Sequence, residues 1–149
     1  MTQKCVIFDM DGTLCDVSSI VWLLDPEQNK GKKNFPKFHA QSEFCPPVEW
    51  VAECARNTNV PNVIVTAREF DYYGPTINFL RTHDIPWDAI YMRRSKDYRP
   101  DFVVKEEILD KILQDEYNPV LAFDDNPNVI ALWQKKGIPV IRVPRDDWE

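Results

Sequence analysis

Only four glycines occur among the 149 residues, and nowhere does the chain contain the GxxxxGK[ST] run that wraps nucleotide phosphates in P-loop enzymes. Phosphorylation through such a loop is therefore not expected. Long apolar runs are also missing, none approaching the roughly 20 residues that a membrane-spanning helix needs. The start, Met1-Thr2-Gln3-Lys4, leads into a four-residue apolar run too short for the core of a secretory signal. A cytoplasmic protein without membrane contact is expected. The four cysteines, Cys5, Cys15, Cys45 and Cys54, form no CxxC pair, which argues against zinc, and a chain of this size needs no disulfide staples. Free thiols are the expectation. Positive charge is in deficit, with 18 Lys and Arg against 24 Asp and Glu and a net charge of −6. Because affinity for a nucleic-acid backbone comes mainly from cations that neutralise phosphates, this argues against nonspecific coating of nucleic acid. Local basic patches remain at Lys30, Lys32, Lys33 and Lys37 and at Arg93, Arg94, Lys96 and Arg99; ordinary solvated surface is the competing reading of each.

What is present describes a foldable chain. Hydrophobic residues make up 44% and charged residues 28%, and one domain over residues 1–149 buries roughly 68–70% of its unfolded surface. Periodicity predicts strands at residues 5–8, 62–65, 89–91, 120–123 and 139–143. Helices are predicted at residues 48–56, 73–82, 102–114 and 128–136. Such alternation implies an α/β fold, a parallel five-stranded sheet flanked by helices on both faces. Asn126-Pro127 reads as a cap followed by a first-turn proline, and Lys135-Lys136-Gly137 as a basic last turn before a terminating glycine. Residues 15–47 break the alternation and are too long for a plain connection. Leaving the core after the first strand, they are expected to form a small lid over the site.

The chemistry concentrates where apolar runs stop. Val6-Ile7-Phe8-Asp9-Met10-Asp11-Gly12-Thr13-Leu14 delivers one carboxylate at a strand tip and a second just beyond it, a nucleophile and a proton donor for one bound group. Val63-Ile64-Val65 leads into Thr66-Ala67-Arg68-Glu69, Pro100 into Asp101-Phe102-Val103-Val104-Lys105, and Val120-Leu121-Ala122-Phe123 into Asp124-Asp125-Asn126. Open α/β sheets bind ligands outside the carboxyl ends of their strands, so these groups can converge. Each segment also has a purely structural reading. Thr66 with Glu69 fits a capping box, Asp101 a helix cap, Lys105 an exposed helix face, and Asp124-Asp125 a turn. A calcium loop fails, because its sixth and twelfth positions, counted from Asp9, hold Leu14 and Ile20.

In their order and spacing, Asp9-x-Asp11-Gly12-Thr13, Thr66, Lys105 and Asp124-Asp125 resemble the four motifs of the haloacid dehalogenase (HAD) superfamily of phosphotransferases, whose fold is Rossmann-like. The resemblance implies that Asp9 attacks phosphorus, while Asp11 protonates the departing oxygen and then deprotonates water. It implies Mg2+ held by Asp9, the Asp11 backbone carbonyl and Asp124-Asp125, with Thr66 and Lys105 on the phosphoryl oxygens. Asp11, where ion-pumping relatives carry threonine, points to a phosphatase. The run from Arg99 to Ile108, Leu121-Ala122-Phe123-Asp124-Asp125, and the stretch from Val129 to Gly137 look like the 3′-phosphatase domain of phage-type polynucleotide kinases. That likeness implies action on 3′-phosphate ends of nucleic acid or on 3′-nucleotides, in repair alongside a separate kinase or ligase. It assigns activity to Arg68 and Asp101 by position and adds Arg93. The expected phosphate contacts are Gly12, Thr13, Thr66, Ala67, Arg68, Arg93 and Lys105. Arg68 is expected as a bidentate phosphate clamp, and Asp101, four residues before Lys105, as the group that orients its ammonium.

One departure stands out: those relatives carry an arginine shortly after the first motif, whereas residues 16–22 hold none. Lys30, Lys32, Lys33, Lys37 or His39 on the lid could replace it. The short lid leaves a partly open site that suits a polymer end, or a nucleotide held by Trp22, Phe35 and Phe38, although these aromatics pack lids as readily. A small-molecule or 5′-nucleotide phosphatase is the alternative enzyme. A noncatalytic phospho-receiver is the alternative of another class, and it conflicts with the chain order, because receivers carry their acidic pair on the first strand and their lysine last.

Overall fold

Alternate residues of the first apolar run face opposite cores, which is why the run is continuous. The structure, a computed structural model, describes residues 2–145. In β1 (Gln3–Phe8), Val6 and Phe8 join one buried cluster while Cys5 and Ile7 join another, as expected of a parallel strand covered on both faces. The chain continues through α1 (Phe35–Ser42), α2 (Glu49–Arg56), β2 (Asn62–Glu69), α3 (Tyr73–Thr82) and β3 (Ala89–Arg93). It ends in α4 (Asp101–Gln114), β4 (Tyr117–Asp124), α5 (Pro127–Lys135) and β5 (Val140–Arg142). All pairings are parallel, in the order β3-β2-β1-β4-β5. One face is closed by Ala52 of α2 with Phe79 and Leu80 of α3. The other is closed by Ile112 of α4 and by Leu132 and Trp133 of α5.

The strand order reverses between β1 and β4, and this crevice is where open α/β sheets receive ligands. The Asp9 N–H donates to the Phe123 carbonyl at 3.1 Å, and the Phe8 and Phe123 rings stack 4.7 Å apart. These contacts tie the tips of the two central strands together.

Several elements differ from the sequence expectation. β2 runs on through Glu69, so Thr66 and Glu69 form no capping box; the Thr66 hydroxyl instead accepts from the Arg68 N–H at 3.1 Å. β4 begins three residues early, at Tyr117, and spans Pro119. Pro100, not Asp101, is the capping position of α4. All four cysteines are free, as their spacing implied.

Residues 15–47 carry more structure than their sequence announced. Two 3-10 turns, Val21–Leu24 and Pro26–Gln28, precede α1. Asn34 caps α1 by accepting from Lys37 N–H at 3.2 Å, and a proline lies in its first turn. The ends of the segment are pinched together. Asp16 N–H donates to Pro46 O at 2.9 Å and Val48 N–H to Leu14 O at 2.8 Å. Leu23 and Phe38 are buried and belong to the cluster on the α2–α3 face. Phe38, a candidate for base stacking, is therefore core, whereas Trp22 and Phe35 remain 40% and 46% exposed.

Candidate active site

The carbonyl of Met10 organises the first motif. It accepts from the N–H groups of Thr13, Leu14 and Cys15 at 3.1, 3.0 and 2.9 Å, curling the chain just past the strand tip. Gly12 permits the curl, with φ +79. A Cβ there would also overlap the Asp125 carboxylate and the Arg145 guanidinium. The Thr13 hydroxyl is thereby brought to 3.1 Å from both Asp9 Oδ2 and Asp125 Oδ1.

β4 supplies the facing acids. Asp124 Oδ1 accepts from the N–H groups of Asp125 and Asn126 at 2.9 and 3.0 Å, which holds that oxygen by backbone donors and leaves Oδ2 for a side chain. Lys105, fully inside the protein on α4, bridges the two strands: its Nζ donates to Asp9 Oδ1 and to Asp124 Oδ2, both at 2.9 Å. Burial opposes charge on Lys105, but Asp124 and Asp9 outweigh it and raise the pKa, so the ammonium stays charged. Burial and the charge of Asp9 push the Asp124 carboxyl up, with Lys105 pulling the other way. Oxygens of Asp9, Asp124 and Asp125 lie within 4.8 Å of one another. A compact set of buried, hard oxygen donors suits a small divalent cation such as Mg2+.

Asp11 stands apart from that cluster. Its carboxylate is gripped by Arg68, with Nη2 2.5 Å from Oδ1 and Nε 3.1 Å from both oxygens, while Arg68 Nη1 donates to Thr76 Oγ1 at 2.9 Å. Burial alone would push the Asp11 carboxyl up, yet Arg68, aided by His39 and Arg145, holds it below the usual range. The guanidinium of Arg68, expected as a phosphate clamp, therefore makes its described hydrogen bonds to Asp11 and Thr76. Asp101 requires a plain correction: its carboxylate accepts from Arg93 Nη2 at 2.7 Å, while the Lys105 ammonium is held by Asp9 and Asp124. The two side chains diverge because Lys105 turns into the core and Asp101, at the start of α4, stays half-exposed. Arg93 also donates to the carbonyls of Ala67, Asp97 and Arg99 at 2.7, 2.9 and 2.6 Å. It clamps the 97–101 loop against β2.

Two groups escaped the sequence reading. Arg145, past β5, donates to Asp125 Oδ2 at 2.8 Å, and no local motif marks it. Thr76, on the first turns of α3, seats Arg68. All of these line, or lie beside, a cavity of about 1240 Å³. Asp9, Asp11, Lys105 and Asp125 form its floor, and Trp22 and Phe35 of the 15–47 segment contribute to its walls. Among the described residues, no helix is long and apolar enough to cross a membrane.

This fold with this acidic crevice is that of a HAD-type phosphatase. The chain belongs to the polynucleotide kinase PNKP phosphatase domain family, whose model matches residues 3–148; it is a hydrolase. A protein of Autographa californica nuclear polyhedrosis virus, assigned as a bifunctional polynucleotide kinase/RNA ligase, is 30% identical over 139 residues. The match takes in 89% of this chain and 19% of that protein, so the chain spans about a fifth of the viral relative. A chain of the Pnkp1/Rnl/Hen1 RNA repair complex superposes with a TM-score of 0.79 at 25% identity, over 95% of this chain and 42% of that one. The class C acid phosphatase of Bacillus anthracis shares the fold, with a TM-score of 0.63 at 15% identity over 99% of this chain and 70% of its own.

Proposed function

We propose that the chain is a magnesium-dependent phosphomonoesterase that removes phosphate from 3′-phosphate ends of nucleic acid, or from 3′-nucleotides, through an aspartyl-phosphate. The observation that carries this is the buried group of Asp9, Asp124 and Asp125 beside the Lys105 ammonium, of which Asp9, Asp125 and Lys105 line a cavity walled by exposed aromatics. Four carboxylates there, counting Asp11, face three cations, Lys105, Arg68 and Arg145. A phosphate dianion entering such a site needs further positive charge. The carboxylates of Asp9, Asp124 and Asp125, with the backbone carbonyl of Asp11, would hold Mg2+, which supplies that charge and polarises the phosphoryl oxygen.

Asp9 attacks phosphorus as the bond to the leaving oxygen breaks, and Asp11, whose burial favours the neutral acid once Arg68 has turned away, delivers its proton to that oxygen. Asp11 then takes a proton from water, whose oxygen attacks phosphorus and restores the Asp9 carboxylate. Lys105, Thr66 and Thr13, with the backbone at Gly12 and Ala67, steady the charge on the transferring group. Arg68 reaches the phosphate once it releases Asp11; Arg93 and Asp101 act by fixing the loop at the cavity rim. Trp22 and Phe35 offer π faces to a base, and Lys37 Nζ and Lys33 Nζ lie 5.8 and 5.9 Å from their centroids. Removing a 3′-phosphate leaves the 3′-hydroxyl that strand joining requires, which makes a kinase and a ligase the natural partners.

Initial rates on 3′- and 5′-phosphorylated oligonucleotides and on the matching mononucleotides, with Mg2+, test the reading. A 3′ preference abolished by Asp9→Asn is expected; a clear 5′ preference would overturn it.

A further inference from the structure

Five lid residues are candidates for the arginine missing from residues 16–22, and only His39 contacts Asp11 among the described residues. Its Nδ1 lies 3.9 Å from Asp11 Oδ2. That atom is buried and has no hydrogen-bond partner among the described residues. An orphaned polar atom costs stability, so its persistence calls for an explanation. The ring is not loose: it packs against Tyr72, Phe38 and Phe35 at centroid distances of 4.8, 5.3 and 6.1 Å. A neutral imidazole carries one N–H, and on Nδ1 that proton faces Asp11 Oδ2. The gap to Asp11 exceeds a hydrogen bond by roughly 1 Å. What keeps Asp11 from closing it is Arg68, which holds both of its oxygens.

We propose that His39 is a positioning residue for Asp11, its Nδ1–H donating to Oδ2 when Arg68 turns from Asp11 to the phosphate, so that Oδ1 stays aimed at the leaving oxygen. The inference rests on the reading of Asp11 as proton donor given above. Its bond changes are those of the first step: the proton passes from Asp11 Oδ1 to the leaving oxygen as the phosphorus–oxygen bond breaks, and His39 keeps its own proton. The lid thereby contributes to the chemistry and not only to enclosure, and its docking completes the acid.

Leaving groups separate this role from a structural one. A nucleoside 3′-oxygen departs poorly without a proton, whereas p-nitrophenolate needs none. Leaving-group release is measured in single turnovers with enzyme in excess and Mg2+ present, for a 3′-nucleotide and for p-nitrophenyl phosphate. His39→Ala is expected to slow nucleoside release at least about tenfold while p-nitrophenolate release falls no more than about threefold, with the nucleotide KM moving less than the rate. His39→Asn, whose amide N–H can occupy the Nδ1 position, should recover most of the loss. Equal losses on both substrates, an unaffected His39→Ala, or no recovery with Asn would each overturn the assignment of His39. Asp11→Asn tests the underlying reading separately: if it keeps the wild-type rate on the nucleotide, Asp11 is not the acid and the role of His39 falls with it.

Discussion

Arg68 and Asp11 form a partly buried bidentate pair between β2 and the turn after β1, and Thr76 on α3 holds the other end of the guanidinium. Arg68 is fully buried. Removing one partner of such a pair leaves an uncompensated charge, so Arg68→Ala should lower unfolding free energy by about 3 kcal/mol in urea titrations. Combined with Asp11→Asn in a double-mutant cycle, it should show a coupling of at least about 1 kcal/mol. Strict additivity would mean that the pair contributes nothing as a pair.

Lys105 sits between Asp9 and Asp124 as a built-in cation. Lys105→Met keeps the volume and removes the charge, leaving three acidic groups crowded together. In chelator the variant should unfold at a clearly lower Tm than the wild type. Because a more negative site binds a divalent cation more tightly, and binding to the native state alone raises stability, Mg2+ should raise the variant's Tm by more than it raises the wild type's. Equal increments would place the cation elsewhere.

Local pattern made the scaffold legible, and long-range geometry did not appear in it. The two-sided burial of Val6, Ile7 and Phe8 marks a central parallel strand in any reading of the sequence, and the acids follow directly from where such strands end. Asp101 and Lys105 illustrate the limit. Helical spacing puts them on one face, but the partner of each is chosen by groups remote in sequence: Arg93 for one, Asp9 and Asp124 for the other. Arg145 reaches Asp125 only because β5 lies beside β4. The short α1, with a proline in its first turn and of mixed polarity, offered no periodicity to read.

Gly12 and Gly137 provide a controlled comparison. Both have positive φ, +79 and +75, but a Cβ at Gly137 meets nothing within 4 Å, whereas at Gly12 it overlaps Asp125 and Arg145. Gly137→Ala should therefore report backbone strain alone, about 1 kcal/mol. Gly12→Ala should cost more than this and, by displacing the Asp125 carboxylate, weaken Mg2+ binding measured by calorimetry. Equal costs with unchanged affinity would show that the close approach at Gly12 has no consequence for the site.

His39 predicts a pH signature. Its ordinary pKa is about 6.5, and in the folded protein burial brings it down to about 4. Between those values the unfolded chain binds a proton that the native protein refuses, so this group makes stability fall as pH drops from 6.5 toward 4. Asp11, held low by Arg68 against the effect of burial, is ionised in both states over most of this window and adds little slope. Asp124, raised by burial and by Asp9, works in the opposite sense, so the total slope cannot isolate the histidine. The difference between wild type and His39→Asn can. Urea titrations in chelator at pH 6.5 and 4.5 should show the variant gaining about 2 kcal/mol relative to wild type on acidification. A difference that stays flat would mean the imidazole accepts its proton in the folded state as readily as in water, and so is not held neutral beside Asp11.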